Sequence, residues 1–203
     1  MLYENIRLIF WVMLFVILFF RLKKSKVVKK RQATIIIFSV CMMLGLLLHF
    51  IPVENLFFSF KSPDKVLNYY KGRSAGYILN GNDSSMIIYS KGNNEFSSVI
   101  VPKSEKGYKI PSLFSVRKIL PKFGRSGSFD VYHVLGTSDY YVLGIISVNG
   151  HESNIIDSNN ELVNVITETE FDDSKTMFIC SFVENFTNEY YIIVNGEKIL
   201  VSN

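Results

Sequence analysis

Two residues of this sequence have the side chains of a nucleophile and its base. Cys180 carries a thiol and His133 an imidazole, and an imidazole that takes the thiol proton makes the sulfur reactive. However, Cys180 ends the apolar run Met177–Cys180, where a cysteine is usually a small buried side chain. We therefore expect a structural role for Cys180.

An apolar N-terminal segment, a histidine and a later cysteine are also the pattern of sortases, which are anchored enzymes with a β-barrel domain. Sortases also have an arginine late in the chain and a threonine before the cysteine. This chain has no arginine after Arg125, and Ile179 precedes Cys180. The cation that would stabilise the transition state is missing, so we do not assign this activity.

A serine hydrolase site is the second enzymatic hypothesis. No nucleophile elbow marks a reactive serine, and one of the three histidines, His49, lies in an apolar segment. The remaining candidates are Ser138 or Ser147, His133 or His151, and Asp130, Asp139 or Asp157. An exposed or capped histidine is far more common than a catalytic one, so we expect a protein that is not an enzyme.

Four carboxylate or amide side chains have part of the spacing of a calcium-binding loop. Asp157, Asn159, Glu161 and Glu168 match the first, third, fifth and last positions of an EF-hand loop. Leu162 stands where the loop needs glycine, and the pattern of flanking helices is absent. A β-turn over residues 157–160 is the simpler interpretation, so the sequence predicts neither a metal site nor a cofactor.

A basic segment lies in the middle of the chain, where Glu105 is the only acid. Its cations are Lys103, Lys106, Lys109, Arg117, Lys118, Lys122 and Arg125. One hypothesis is a face that contacts an anionic wall polymer or lipid headgroups. The alternative is that the fold offsets these charges with residues 152–189, where nine acids accompany Lys175 alone.

Short apolar segments separated by polar turns must carry these side chains. Such segments recur about every 8–12 residues, and three pairs of them flank turn residues. The pairs are Ser84–Lys91 with Phe96–Val101, Phe129–Leu135 with Tyr140–Val148, and Met177–Val183 with Tyr190–Val194. Asn195-Gly196 predicts a further hairpin to residues 199–201. The pattern is typical of an antiparallel meander, built as a curved sheet, a sandwich or a small barrel.

One short helix should begin this domain. Ser62 is a capping residue type, Pro63 suits the first helical position, and Asp64 places an acid in the first turn. Gly72 is able to end the helix. The sequence therefore predicts a helix over Pro63–Lys71.

An internal similarity connects residues 131–150 with residues 178–196. Each stretch has a strand, a polar turn, an acid before Tyr-Tyr, an apolar strand and Val-Asn-Gly. A duplicated hairpin would produce this similarity, and so would the ordinary composition of hairpins.

Two apolar segments precede the β-rich part. Leu8–Phe20 is unbroken but covers only about 20 Å of a roughly 30 Å hydrocarbon core, so its flanks must lengthen it. Glu4 and Arg7 have the spacing of a helical ion pair. Residues 33–53 are long enough to span a membrane. A signal peptide fits less well, because the cations follow the first apolar run.

The loop at residues 21–32 predicts how two spans would be oriented. It has no acid, and its cations are Arg21, Lys23, Lys24, Lys26, Lys29, Lys30 and Arg31. Short loops rich in Lys and Arg stay in the cytoplasm. Residues 1–55 would then be a helical hairpin anchor and residues 61–203 an extracytoplasmic domain. Anionic lipid headgroups would also attract this loop.

The basic composition of the chain comes from that loop. The formal net charge is +4, yet from residue 33 onward the chain has 14 Lys and Arg against 17 Asp and Glu, a net charge of −3. Nucleic-acid binding is therefore not expected. Cys41 lies in the second apolar segment, far from Cys180, so no disulfide is expected.

Several short motifs of the β-rich part lie at residues 103–111, 128–132 and 136–141, with Ser62-Pro63 and the turn at residues 83–85 in addition. Together they resemble uncharacterised membrane-anchored proteins with two transmembrane helices from low-GC Gram-positive bacteria. The resemblance implies a cell-membrane protein with an external domain, and it implies no activity and no site residues.

The sequence thus predicts two N-terminal transmembrane helices and a mainly antiparallel β domain with one short helix at its start. The expected function is a non-enzymatic, tethered domain that binds or shields a cell-envelope component. An envelope-acting enzyme and an immunity or transporter accessory protein are the alternatives. The expected partners are the lipid bilayer and an envelope protein or anionic polymer.

Overall fold

Two antiparallel helices begin the chain. The computed structural model describes residues 2–24, 30–92, 95–124, 127–149, 155–159, 163–171, 174–187 and 189–201. Helix α1 spans Leu2–Lys24 and helix α2 spans Lys30–Phe50. The ring of Phe15 meets that of Phe38 edge to face, with centroids 5.9 Å apart. This contact joins the middle of α1 to the middle of α2.

Helix α1 has the length and apolar composition of a membrane span. Over Tyr3–Arg21 it is long and apolar enough to cross a bilayer, and large apolar side chains such as Leu8 and Met13 are exposed along it. In α2 the apolar segment whose side chains the structure describes is Thr34–Gly45, which is shorter than the apolar segment of α1. The apolar helical N-terminus expected from the sequence is therefore present, with one helix of spanning length in the described residues.

Helix α3 occupies Pro63–Lys71, as predicted. Gly72 ends it in the left-handed conformation, with φ of 64° and its N–H donated to the carbonyl of Asn68. Ser62 precedes the helix, but its side chain makes no capping hydrogen bond. Asp64 is used differently, because its carboxylate accepts the N–H of Ala75 at 2.9 Å and so fixes the chain beyond the helix.

Short strands make up most of the rest of the described chain. They are β1 Tyr77–Asn80, β2 Ser84–Gly92, β3 Glu95–Ser104, β4 Gly107–Tyr108, β5 Val116–Gly124, β6 Gly127–Val134, β7 Asp139–Asn149, β8 Ile155–Asp157, β9 Asn164–Phe171, β10 Ser174–Glu184, β11 Tyr191–Val194 and β12 Glu197–Leu200. They form three antiparallel sheets. The first has the order β1-β2-β3-β4, the second β5-β6-β7-β10-β9 and the third β12-β11-β8.

The three sheets and α3 are stacked around three apolar clusters. One cluster lies between α3 and the first sheet and includes Leu67 and Ile87. The next joins the first sheet to the second, with Met86 beside Cys180. The last joins the second sheet to the third and includes Ile192. Because successive side chains of a strand point to opposite faces, β2 is buried on both sides over residues 84–89, and the apolar run Met86–Tyr89 supplies both clusters.

Most predicted hairpins are confirmed by the strand register. β2 pairs with β3, β6 with β7, and β11 with β12, all antiparallel. The turn between β11 and β12 has Asn195 and Gly196 at φ of 50° and 85°, the left-handed pair that a tight hairpin requires.

The predicted hairpin of Met177–Val183 with Tyr190–Val194 is wrong. β10 pairs with β7 and β9 in the second sheet, whereas β11 pairs with β8 and β12 in the third. The second and third sheets both contribute apolar side chains to the cluster between them, and the chain passes from one sheet to the other after β10. Residues 131–149 form a hairpin and residues 178–194 do not, so a duplicated hairpin is also excluded.

Candidate functional site

The first turn of α1 is packed into the core of the β-rich part. Tyr3 is 6% exposed and belongs to the cluster between α3 and the first sheet. Its ring meets Tyr69 and Tyr70 of α3 edge to face, with centroids 5.8 Å and 5.2 Å apart. Aromatic edge-to-face contacts and the burial of a large ring both stabilise this arrangement. Helix α1 is therefore attached to the sheets directly as well as through the chain.

An ion pair reinforces that attachment. Arg7 Nε lies 3.2 Å from Glu54 Oε1, and Arg7 donates a further hydrogen bond to the carbonyl of Ile51 at 2.8 Å. The guanidinium also lies 4.5 Å from the ring centroid of Tyr3. The predicted partner of Arg7 was Glu4, one helical turn away. The short 3-10 turn Val53–Leu56 instead brings Glu54 to Arg7.

The connection from α2 to α3 is bonded to the first sheet. The side chain of Asn55 donates to the carbonyl of Ile110 and accepts the N–H of Ile110, both at 2.8 Å. Lys109 Nζ donates to the carbonyl of Asn55 at 2.6 Å. Phe60 and Tyr108 exchange two backbone hydrogen bonds of 2.8 Å. The linker thus holds the sheets close to the ends of both helices.

These contacts leave a groove of about 1440 Å³ between the helices and the first two sheets. Its helical wall begins with Tyr3, Glu4, Asn5 and Arg7 in the first turns of α1. Beyond them it is apolar and consists of Leu8, Trp11, Val12, Phe15, Phe38, Cys41, Met42 and Gly45. Its other wall comes from the sheets and α3 and is more polar, with Tyr70, Lys71, Tyr89, Lys91, Ser97, Ser98, Ser112, Ser115 and Tyr132 among its residues. Val99, Ile100, Pro111, Leu113 and Val116 also belong to that wall, so it combines polar and apolar side chains, whereas the helical wall is apolar from Leu8 onward.

The charges in the groove are mostly positive. Lys71 and Lys91 line it together with Arg7, whose charge is paired with Glu54, and with Glu4. Lys71 Nζ lies 4.2 Å from the ring centroid of Tyr70, which holds the ammonium over an aromatic face. An anionic group that entered the polar part would meet two lysines whose charges are not used by these pairs.

Electrostatics beside the groove are consistent with a partly desolvated environment. Burial raises the pKa of the Tyr69 hydroxyl, and the negative charge of Glu54 adds to that rise. On the second sheet, burial raises the pKa of Tyr132 to about 12, with Asp130 as a further cause. Both hydroxyls therefore remain neutral hydrogen-bonding groups at physiological pH.

The structure does not bring His133 and Cys180 together. His133 stacks on Tyr140, with centroids 4.3 Å apart, on the face of the second sheet that packs against the third. Cys180 belongs to the cluster on the opposite face of the same sheet. Burial also raises the pKa of the Cys180 thiol to about 12, the reverse of what a nucleophile needs. The burial expected for Cys180 is confirmed.

The aspartates of the hydrolase hypothesis have other partners. Asp139 is fully buried and accepts the N–H groups of Asn82 and Asp83 and the hydroxyl of Ser84, the last at 2.5 Å. Tyr141 contacts the same hydroxyl at 2.9 Å, and burial raises its pKa. This network fixes the turn before β2 to the start of β7.

Asp130 and His133 of the same hypothesis also contact other groups. Asp130 pairs with Lys118 at 2.8 Å, and His133 Nε2 lies 3.0 Å from the carbonyl oxygen of Thr137. Ser138 and Ser147 lie on the turn before β7 and on β7, and His151 is outside the described residues. The described candidates thus do not assemble into a triad.

The described calcium-loop candidates lie in a turn and on a strand rather than in a loop between two helices. Asp157 Oδ1 accepts the N–H of Asn159 at 2.8 Å and Oδ2 accepts the hydroxyl of Tyr190 at 3.0 Å, which is the β-turn arrangement. Glu168 lies on strand β9 rather than in a helix, and Glu161 is outside the described residues. Among the residues that the structure describes, no group of three or more His, Cys, Asp or Glu side chains is placed to hold a metal ion.

The predicted basic residues are distributed over two sheets. Lys103, Lys106 and Lys109 lie on or beside β3 and β4, and Lys109 lines a second cavity of about 360 Å³. Arg117 and Lys118 lie on β5 in the second sheet. Lys122 is on β5 without a described side chain, and Arg125 is outside the described residues.

The cations of the predicted cytoplasmic loop lie where the two helices are joined. Arg21, Lys23 and Lys24 belong to the last turn of α1, and Lys30 and Arg31 begin α2. Lys26 and Lys29 fall outside the described residues. The end of the helix pair that carries these cations is therefore opposite the end that contacts the sheets.

Sequence reasoning did not find the groove. Lys71 ends α3 and Lys91 lies near the end of β2, with strand β1 between them, and no local motif connects either lysine to α1. The one available signal was Tyr3, a large aromatic placed before the apolar run and next to Glu4.

No protein-family model, no curated protein and no solved structure matches this chain.

Proposed function

We propose that this chain is a membrane-tethered, non-enzymatic domain that binds an anionic amphipathic component of the cell envelope. The observation that supports this proposal is the groove, whose helical wall is apolar from Leu8 onward and whose opposite wall carries two lysines among serines and tyrosines. A lipid or lipid-linked molecule has the same division. Its acyl chains avoid water, and its phosphate or carboxylate headgroup is stabilised by cations.

The proposal includes two membrane spans and an external domain. α1 and α2 carry a cluster of cations at the end where they are joined, which is the arrangement of a cytoplasmic loop. The sheets contact the opposite end through Tyr3 and Arg7. In this orientation the groove opens at the outer surface of the bilayer, where an envelope lipid can enter it sideways.

A binding role is favoured over an enzymatic one by the chemistry of the lining residues. Among the described residues that line the groove there is no histidine, and its one sulfhydryl, Cys41, belongs to α2. Lysines, serines and tyrosines bind an anionic headgroup by charge and hydrogen bonds without reacting with it. Tethering keeps the domain at a high effective concentration near such lipids, so modest affinity is sufficient.

Charge reversal in the groove tests the proposal. The full-length chain is reconstituted in vesicles of zwitterionic and anionic phospholipid, extracted gently, and the phospholipid that remains bound is measured by mass spectrometry. The double variant Lys71→Glu and Lys91→Glu is expected to lose the preference for anionic phospholipid. Lys198→Glu is the matched control, because Lys198 Nζ lies 4.3 Å from the ring centroid of Tyr191, as Lys71 does over Tyr70.

Filling the groove is an independent test. Ser98→Trp puts a large ring into the groove, whereas Ser147→Trp puts the same ring on an exposed position of β7. Only the first variant is expected to release bound phospholipid of either charge. Binding in the groove would be contradicted if the charge-reversal double variant and the Ser98→Trp variant both retained as much phospholipid as the wild-type chain.

The orientation has its own test. Protease added to intact cells or protoplasts is expected to cleave the part of the chain after Val53, and an epitope placed between Lys24 and Lys30 is expected to be protected. Protection of the C-terminal part would show that the sheets are on the cytoplasmic side, and the envelope role would then be abandoned.

A further inference from the structure

Four large apolar side chains at the junction of helices and sheets are exposed. Leu56 and Phe57 are 83% and 82% exposed, and Leu113 and Phe114 are 63% and 66% exposed. Outside α1 and α2 these are the most exposed large apolar side chains of the described residues. A protein surface in water rarely groups such side chains unless they contact another apolar surface.

The two exposed pairs are held close to one another. Asn55, next to Leu56, makes two hydrogen bonds to the backbone of Ile110, three residues before Leu113. The second cavity lies between the same two segments and is lined by Ile51, Pro52, Val53, Asn55 and Leu56 on one side and by Pro102, Lys109, Ile110, Ser112 and Ser115 on the other. The pairs thus belong to one surface.

The turn that carries Leu113 and Phe114 is closed by its own hydrogen bonds. Ser115 donates its N–H and its hydroxyl to the carbonyl of Ser112, at 3.1 Å and 2.8 Å. The N–H of Ser112 is donated back to the hydroxyl of Ser115 at 3.2 Å. Because the turn is closed in this way, its two apolar side chains project together without a further loss of backbone freedom.

The position of this surface along the chain indicates what covers it. Leu56 and Phe57 follow Phe50, the last residue of α2, by six and seven positions, and part of that path is coiled in the turn Val53–Leu56. Even a fully extended path would place them within about 25 Å of the end of α2. Exposed aromatic and aliphatic side chains just beyond a membrane helix are typical of residues at the headgroup and acyl-chain boundary.

We propose that Leu56, Phe57, Leu113 and Phe114 form a bilayer-contacting rim that inserts into the outer leaflet and holds the sheets against the membrane surface. The proposal rests on the part of the proposed function that places α1 and α2 in the bilayer. It does not require lipid binding in the groove, although Leu113 also lines the groove. Phe57 and Phe114 line neither cavity, so they report on the rim alone. The occupant is the lipid surface itself, which is continuous with the surroundings of α2.

Tryptophan fluorescence in the full-length chain tests the rim. Trp11 is the only tryptophan, so Trp11→Phe provides a background without one. Phe57→Trp, Phe114→Trp and, as a control, Leu200→Trp on the edge strand β12 are then introduced singly. Each position is exposed, so the larger ring does not disturb a core. Vesicles contain phospholipid with bromine atoms near the headgroup end of the acyl chains.

The rim predicts opposite behaviour for the two sets of reporters. Tryptophan at positions 57 and 114 is expected to be quenched severalfold more by the brominated lipid than by iodide in the water. Tryptophan at position 200 is expected to be quenched more by iodide than by the brominated lipid. Quenching of all three reporters by iodide to the same extent would overturn the rim. If phospholipid is still retained in that case, binding in the groove stands and only the rim is wrong.

Discussion

Arg7 of the first helix and Glu54, forty-seven positions later, form an ion pair with 3.2 Å between Nε and Oε1. Both side chains are only 12% exposed. The pair connects the N-terminal helix to the turn that follows the second helix, at the point where the apolar helices meet the polar sheets. Several properties of the molecule depend on this junction.

Removal of one charge of this pair should destabilise the junction. Glu54→Gln leaves a poorly hydrated guanidinium without its anion and is expected to lower the free energy of unfolding in detergent micelles by about 2 kcal/mol. The exchange of charges in Arg7→Glu with Glu54→Arg should restore part of the loss. A double-mutant cycle measures the coupling, and purely additive effects would contradict a stabilising pair.

Lys118 with Asp130 is the control for that cycle. Its side chains are 44% and 33% exposed, so water screens the pair. Its coupling free energy is expected to stay below about 1 kcal/mol.

Tyr3 should be a core residue of the β-rich part despite its position in the first helix. Tyr3→Ala removes a ring buried against Tyr69 and Tyr70, with an expected loss of about 3 kcal/mol in unfolding free energy. Tyr3→Phe keeps the ring and should cost less than about 1 kcal/mol. Thermal unfolding followed by near-ultraviolet circular dichroism gives both values. Equal stability of the alanine variant and the wild type would mean that α1 does not pack on α3.

The carboxylate of Asp139 should be a major structural contact. Asp139→Asn replaces one acceptor oxygen by a donor amide that faces the N–H of Asp83 or the hydroxyl of Ser84. The expected loss in unfolding free energy is about 3 kcal/mol, because buried donors lose a charged acceptor. Asp130→Asn makes the same chemical change at a partly exposed site and should have a small effect. Similar losses of unfolding free energy in the two variants would argue against a stabilising contact between Asp139 and the turn before β2.

Cys180 should make the folded state sensitive to alkaline pH. Burial raises the pKa of its thiol from 9.0 to about 12, so the folded state keeps a proton that the unfolded chain releases above pH 9. The stabilisation is therefore fully present below that pH and decreases as the pH rises toward 12. Urea unfolding at a series of pH values should show a shallower alkaline decrease in Cys180→Ala than in the wild type.

A thiol reagent gives a second measurement of the same residue. In a Cys41→Ser background Cys180 is the only cysteine, and it should react with iodoacetamide at pH 9 only after urea is added. Rapid labelling of the folded chain would contradict the buried, protonated thiol.

The sequence by itself determined the features that depend on neighbouring residues. The apolar run of α1, the helix between Pro63 and Gly72 and the hairpin turn at Asn195-Gly196 follow from periodicity, capping and left-handed turn residues, all of which act over a few positions. The burial of Cys180 followed from its apolar neighbours in the same way.

Only the tertiary structure decided which distant segments meet. Strand β10 pairs with β7 and β9 instead of the following strand, Tyr3 packs against α3, and Arg7 pairs with the distant Glu54. In each case several local partners are nearly equivalent, and the choice depends on which arrangement buries the most apolar surface while pairing the polar groups. The groove exists because that choice brings helices and sheets together without filling the space between them.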